Sequence, residues 1–551
     1  MRYKYLFYFL IMLMIFSSSA FSLSFSDEGT PSELAAAIVS AMTDEQALAQ
    51  LLMFGWVGEE PSPLIMDWIQ RRGIGGVKIF GWNTTDTRRL ARTVGELQRT
   101  SLQGQYNIPL LIATDQEGGW VRHIRGSTSE TPGNMAIGAS GYPRDAYLSG
   151  YYIGQELALL GVNMNFAPTV DLFTNRNSTL IGPRSFGSDP VITGVLGAAF
   201  VRGQLAAGVI PTAKHFPGHG DTALDSHGIL PRIQISYETL WDRELLPYRM
   251  LVAEGLPAVM SGHLAFPLLE SGAAPASLSP WFLRDVLRER VGFKGVVITD
   301  DLMMIGAISY LGTLPLTAKQ AIAAGNDIIM FSTTPVLNDQ IWTFLVSSMR
   351  NEEDFRQIVR ASARRVLELK LTYLKGPNSV PYIPDPVRVE AELPDPEASA
   401  FFLNLAARSV TFVKPDPSDT LFPLSREAAG RVLLAGRYRD FFTYGRLAFP
   451  NSSTYSFTDL TEPSDIINVA RNFDTIFFCL SDNIDLRVLR SLQQLGKRVI
   501  VFSVLNPVFI ENVPWVSGAV AVYSYAPESF AAGFSAILGR IPALGALPYE
   551  Q

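Results

Sequence analysis

Short apolar runs punctuate residues 32–374, each followed by a polar turn and then a longer stretch with helical periodicity. The runs fall at 51–55, 75–80, 109–114, 163–167, 210–213, 258–261, 295–299 and 327–331. Helical stretches such as 87–104, 146–160 and 317–324 separate them. Near-continuous apolar strands alternating with helices predict parallel pairing, with the sheet buried on both faces. Eight such units fit an α/β fold of the (β/α)8 TIM-like barrel type over residues 30–374. An open doubly wound sheet carries the same pattern, because counting strands does not prove closure.

Beyond the last run the sequence turns proline-rich, from Lys375 to Ala398. Proline removes amide donors and disfavours helix in the residue before it, so residues 375–398 read as an extended linker. Further apolar runs at 409–413, 431–435, 475–480, 498–504 and 518–523, with helical stretches at 485–495 and 529–538, predict a smaller α/β sandwich domain over 399–551. At the other end, Arg2 and Lys4 precede a short apolar run and then Ser17, Ser18, Ser19 and Ala20. That order reads as a secretory signal peptide over residues 1–22, hence a periplasmic or extracellular protein with no stable membrane span after cleavage. An uncleaved anchor is the alternative, although the run is short for a full span.

Composition narrows the chemistry. The chain is 47% hydrophobic and 18% charged, which excludes a largely disordered polymer. Its 45 Lys and Arg against 52 Asp and Glu leave a net charge of −7, so no general electrostatic pull toward nucleic acid is expected. The single cysteine, Cys479, excludes a disulfide framework and any multi-cysteine metal site.

In a barrel of this kind the active site lies where the strands end and the βα loops open. Ionisable residues interrupt the apolar pattern at those ends: Asp115, Asp171, Lys214, His215, His263, Asp300 and Asp301. Regular alternation along the seventh strand would turn Asp301 away from Asp300, so Asp301 is assigned no catalytic part. The densest segment runs from Lys214 to His227 and holds three of the five histidines, with Gly218 and Gly220 permitting a tight turn. Three readings stand: a solvated loop, a metal site of His215, His219, Asp225 and His227, or a dyad in which Asp225 fixes the tautomer of His227. The dyad would supply a general acid/base opposite a carboxylate nucleophile, Asp300, as a retaining glycosidase requires.

The segments Asp115-Gln116-Glu117-Gly118-Gly119, Arg184-Ser185-Phe186-Gly187, the 214–227 loop and Thr299-Asp300-Asp301-Leu302-Met303-Met304 together resemble glycoside hydrolase family 3, in its β-N-acetylglucosaminidase branch of two-domain form. The resemblance implies an exo-acting hydrolase that removes terminal β-linked N-acetylglucosamine through a covalent glycosyl-enzyme on Asp300. His227 is then the acid/base and Asp225 its orienting partner. Asp115, Arg184, Lys214 and His215 would hold the sugar, with no metal and no cofactor. The substrate is expected to be an amino-sugar oligosaccharide or muropeptide, in keeping with peptidoglycan turnover. One position departs from the family pattern: eight residues after the aspartate of D-x-E-G-G, where arginine is common, stands His123, with Arg122 before it. Either His123 takes over a sugar contact or Arg122 reaches in. A β-glucosidase or glycoside phosphorylase of the same family, and an inactive exported carbohydrate-binding protein, remain as alternatives.

Overall fold

The computed structural model of the chain describes residues 23–178, 180–224, 226, 228–272, 274–414 and 421–550. The expected signal segment, 1–22, lies outside the described residues, as do Asp225 and His227. Among the described residues no helix is long and apolar enough to cross a membrane.

The eight apolar runs form β1 (Leu52–Phe54), β2 (Gly76–Ile79), β3 (Leu111–Thr114), β4 (Met164–Asn165), β5 (Ile210–Phe216), β6 (Ala258–Ser261), β7 (Val296–Asp301) and β8 (Ile328–Phe331). Successive strands pair in parallel, and β8 returns to β1 with Ile329, Met330 and Phe331 opposite Leu52, Met53 and Phe54. That last ladder closes the barrel and rules out the open sheet. Helices cover the outside, so the strands are buried on both faces, which is why their sequences lack a polar alternation. The helices begin where local chemistry starts them. Thr30 and Glu33 form a reciprocal capping box at Pro31–Ala41, and Asp86 accepts the Arg89 amide at the head of Thr87–Ser101.

Two β-bulges interrupt the barrel ladder at its C-terminal end. Between β5 and β6, Ala213 faces Val259 but Phe216 faces Ser261, so β5 carries one extra residue at Lys214–His215. Between β7 and β8, Ile298 faces Ile328 but Asp301 faces Met330, which places a second extra residue beside Asp300. A bulge breaks the two-residue alternation of side chains and re-aims them.

The second domain is a six-stranded sheet formed by β9 (Thr411–Lys414), β10 (Val432–Gly436), β11 (Ser453–Ser456), β12 (Thr475–Leu480), β13 (Arg498–Ser503) and β14 (Gly518–Ala521). Its order is β9-β14-β13-β12-β10-β11, parallel except for the antiparallel β9–β14 pair. Apolar clusters cover both of its faces. The edge strand β11 was not among the expected runs, because Ser453-Thr454-Tyr455-Ser456 is polar and half exposed. The proline-rich stretch also differs from an extended linker. Asp385 caps a helix over Pro386–Glu392, and Asp395 caps another over Pro396–Ser409. Both begin on proline, whose fixed φ and missing amide suit the first helical position. The two domains share a small core in which Met135, Ala136 and Phe173 of the barrel meet Val508, Tyr523 and Tyr549. Arg408 donates two hydrogen bonds to Asp145 across the same junction, at 2.6 and 3.1 Å.

Candidate active site

The C-terminal mouth of the barrel holds a pocket of about 240 Å³ whose floor is a chain of alternating charges. Lys78 stands in the middle of β2, fully buried, with Nζ 2.7 Å from Asp115 Oδ2. Asp115 follows β3 and also accepts from Lys214 Nζ on β5. Lys214 reaches Glu117 Oε1 at 2.6 Å, and Arg184 grips the same carboxylate with two hydrogen bonds, Nε–Oε2 2.9 Å and Nη2–Oε1 2.8 Å. Glu117 is carried by the short hairpin Gln116–Gly118 and Val121–Arg122, and Arg184 by the turn Gly182–Arg184.

Burial opposes every one of these charges, and only mutual pairing retains them. For Glu117, burial acts upward, but Arg184 and Lys214 outweigh it and hold the carboxyl down at about 2. Burial likewise works to raise Asp115, and Lys214 and Lys78 carry it well below the usual carboxylate range. Lys214 is held above its ordinary value: burial pulls down, while Asp115 and Glu117 pull up harder.

His215 sits over this floor, and Asp171, after β4, orients it. The imidazole Nδ1 lies 2.6 Å from Asp171 Oδ2, while Asp171 Oδ1 accepts the backbone amides of His215 and His219 at 3.1 and 2.7 Å. Asp171 is held down at about 2: burial raises it, and His215 and His219 overcome that. The Nε2 of His215 lies 3.3 Å from Arg184 Nη2. His123 also lines the pocket, Nδ1 3.1 Å from Lys78 Nζ. Burial and the adjacent Lys78 lower it to about 4, so it is neutral at neutral pH. Arg122 is turned away, donating to the Ser129 carbonyl and to Glu130, each at 3.0 Å.

Asp300 faces the pocket from β7, its Oδ1 accepting the Asp301 amide at 2.8 Å. Burial works to raise its pKa, but His215, His263, that amide and Lys214 hold it below the ordinary aspartate value, which leaves an ionised carboxylate open to the cavity. Asp301 lines the pocket too, contrary to the expected alternation, because the β7 bulge turns both aspartates inward. Its Oδ1 is already engaged by the amides of Met303 and Ser332, at 2.9 and 3.1 Å. Likewise both Lys214 and His215, adjacent in sequence, reach one site because of the β5 bulge. Ser226 lines the pocket, and its carbonyl accepts the Gly306 amide at 3.1 Å.

The structure thus brings Asp115, His123, Arg184, Lys214, His215 and Asp300 to one cavity. Sequence reasoning assigned no role to Lys78, Glu117 or Asp171. The signals were present: a lysine inside an otherwise apolar strand, a glutamate inside the quoted D-x-E-G-G segment, and an aspartate just past β4.

Comparison with known proteins agrees with this architecture. The chain is 29% identical over 564 residues to beta-hexosaminidase A of Pseudoalteromonas piscicida, covering 88% of this chain and 90% of that one. It is 37% identical over 260 residues to a beta-hexosaminidase of Tolumonas auensis, covering 47% and 75%. The solved structure of a glycoside hydrolase family 3 beta-N-acetylglucosaminidase from Paenibacillus sp. str. FPU-7 superposes with a TM-score of 0.82 at 29% identity, over 92% of this chain and 99% of that one. Residues 42–369, more than half of the chain, match the Glycosyl hydrolase family 3 N terminal domain, and the chain belongs to that family.

Proposed function

We propose that this protein is a retaining exo-β-N-acetylhexosaminidase that releases terminal β-linked N-acetylglucosamine. The observation that carries the reading is the ionised Asp300 carboxylate, open to a ring-sized cavity whose floor presents fixed charged donors and acceptors. Charge-assisted hydrogen bonds suit the hydroxyls of a sugar, and a rigid array orients them without further reorganisation. The names of the relatives support the amino-sugar specificity. Asp115, Lys214, Arg184, His215 and His123 bind the sugar in this reading, and Lys78, Glu117 and Asp171 hold those groups in place.

In the first step Asp300 attacks the anomeric carbon while the glycosidic C–O bond breaks, and His227 gives its proton to the leaving oxygen. In the second, His227 takes a proton from water, the water oxygen bonds to the anomeric carbon, and Asp300 leaves. Asp225 orients His227 through these transfers. Residues 1–22 direct the chain out of the cytoplasm, and hydrolysis there feeds amino-sugar recovery.

The test is a set of aryl glycosides assayed with and without phosphate. Release of free N-acetylglucosamine with retained β configuration, from the aryl β-N-acetylglucosaminide in preference to the β-glucoside, is expected. Asp300→Ala should lose turnover on the order of 10⁴-fold or more while still binding the sugar. Full activity in that variant, or a glycosyl phosphate product, would overturn the mechanism.

A further inference from the structure

A second cavity, of about 540 Å³, opens between the barrel mouth and the C-terminal domain. Trp120 and Leu180 line both this cavity and the catalytic pocket, so the two are contiguous across those side chains. The catalytic pocket has room for one ring. Whatever is joined to that ring therefore extends outward, and the shared wall leads it to the domain junction.

The chemistry of the junction is specific. Tyr438 and Phe509 of the second domain face Trp120 and Leu180, giving the apolar and aromatic walls on which sugar rings pack. Two buried donors there have no partner among the described residues: Trp120 Nε1 and Asn506 Nδ2. Asn506 is 3% exposed, and its Oδ1 is taken by the Val508 amide at 3.2 Å, so only its NH₂ remains to be satisfied. Buried donors of this kind call for an acceptor oxygen, such as that of a hydroxyl or acetamido group. Among the described lining residues the only charged one is Asp482. Its nearest cation, Arg437, is shared with Asp459 at 2.9 Å and Asp485 at 2.8 Å as well as with Asp482 itself. Arg437 thus divides its charge among three carboxylates, and the one that lines the cavity, Asp482, has no cation to itself among the described residues.

We infer that the domain junction is the leaving-group subsite, and that it selects an uncharged sugar such as a second N-acetylglucosamine over a carboxylate-bearing one such as a muramic acid. The inference rests on the reading of Asp300 as the sugar-cleaving centre. A carboxylate seated here would be repelled by Asp482, whose only close cation among the described residues, Arg437, is already shared.

The test measures binding rather than turnover, using the Asp300→Ala chain and intact disaccharides in a calorimeter. N,N′-diacetylchitobiose and N-acetylglucosaminyl-N-acetylmuramic acid are compared with the methyl ester of the latter, which keeps the bulk and removes the charge. The ester is expected to bind about tenfold more tightly than the free acid. Asp482→Asn, which retains the side-chain cap of the following helix, should narrow that gap. A free acid that binds as tightly as its ester, or a gap untouched by Asp482→Asn, would overturn the inference. Wild-type turnover of an aryl β-N-acetylglucosaminide tests the catalytic reading separately. Its absence alongside charge-selective binding would sink that reading, and with it the leaving-group role, while the charge selection at the junction would stand.

Discussion

Glu117 balances the charge of the pocket floor, since Arg184 and Lys214 both terminate on its carboxylate. Replacing it with glutamine keeps the shape but leaves two buried cations with one counter-charge fewer. Breaking a buried ion pair from one side costs about 3 kcal/mol or more, because the stranded charge stays desolvated. Glu117→Gln is therefore expected to lower unfolding stability by about 3 kcal/mol in chemical denaturation, and to raise KM more than it lowers kcat. The same residue predicts a pH dependence. Its folded pKa, about 2, lies below the unfolded value of about 4.3, so the unfolded chain binds the extra proton. The stability it contributes is fully present above about pH 4.3 and is lost as the pH falls toward 2. Wild type minus Glu117→Gln, followed by acid titration of the folded signal, should converge across that window. A difference that stays constant would show that Glu117 is not held as an anion. That sequence reasoning passed over this residue has a physical cause. Asp115 ends a strand and so announces itself, whereas Glu117 lies on a two-stranded hairpin after β3 that no apolar run marks.

At the scale of elements, the barrel strands were legible because burial on both faces leaves an uninterrupted apolar signature. The bulges in β5 and β7 were not, because an extra residue in a ladder changes register without changing composition. They are nonetheless what makes two neighbouring side chains share one site. The turn after β5 shows a second limit of sequence reading. Gly218 has a φ of 137°, as a glycine in a tight turn suggests, but Gly220 serves a different need. A Cβ on Gly220 would stand 1.6 Å from the Leu172 carbonyl oxygen, so the turn rests directly on the backbone after β4. Gly220→Ala must push the segment leading to Ser226 away from the pocket. Because misplacement by about 1 Å costs on the order of 100-fold in rate, kcat/KM should fall at least that far while the circular dichroism spectrum is kept. Near-wild-type activity in this variant would mean that the turn's seating on Leu172 does not position the site.

For the whole molecule, the face of the barrel opposite the pocket holds an ionisable group that the chemistry does not use. Lys370 lies fully buried on the last barrel helix, Glu353–Tyr373, with Nζ 3.0 Å from Gln50 Oε1 just before β1. Gln50 in turn donates to the Gly73 carbonyl at 2.7 Å, so this small network ties the end of the barrel to its beginning. Among the described residues no carboxylate offsets the burial, which lowers the lysine to about 7. Its unfolded value is about 10.4, so between pH 7 and 10.4 the unfolded chain binds more protons than the folded one. Stability contributed by this group must then rise with pH across that window and be flat below it. Lys370→Met removes the titration, and the stranded Gln50 oxygen that results shifts stability by an amount independent of pH. The variant should therefore gain on wild type as the pH drops from 10 to 7, read as the difference in denaturation midpoints at matched ionic strength. If the two curves run parallel from pH 7 to 10, the lysine keeps its ordinary affinity for protons, and the closure of the barrel does not rest on a neutral amine.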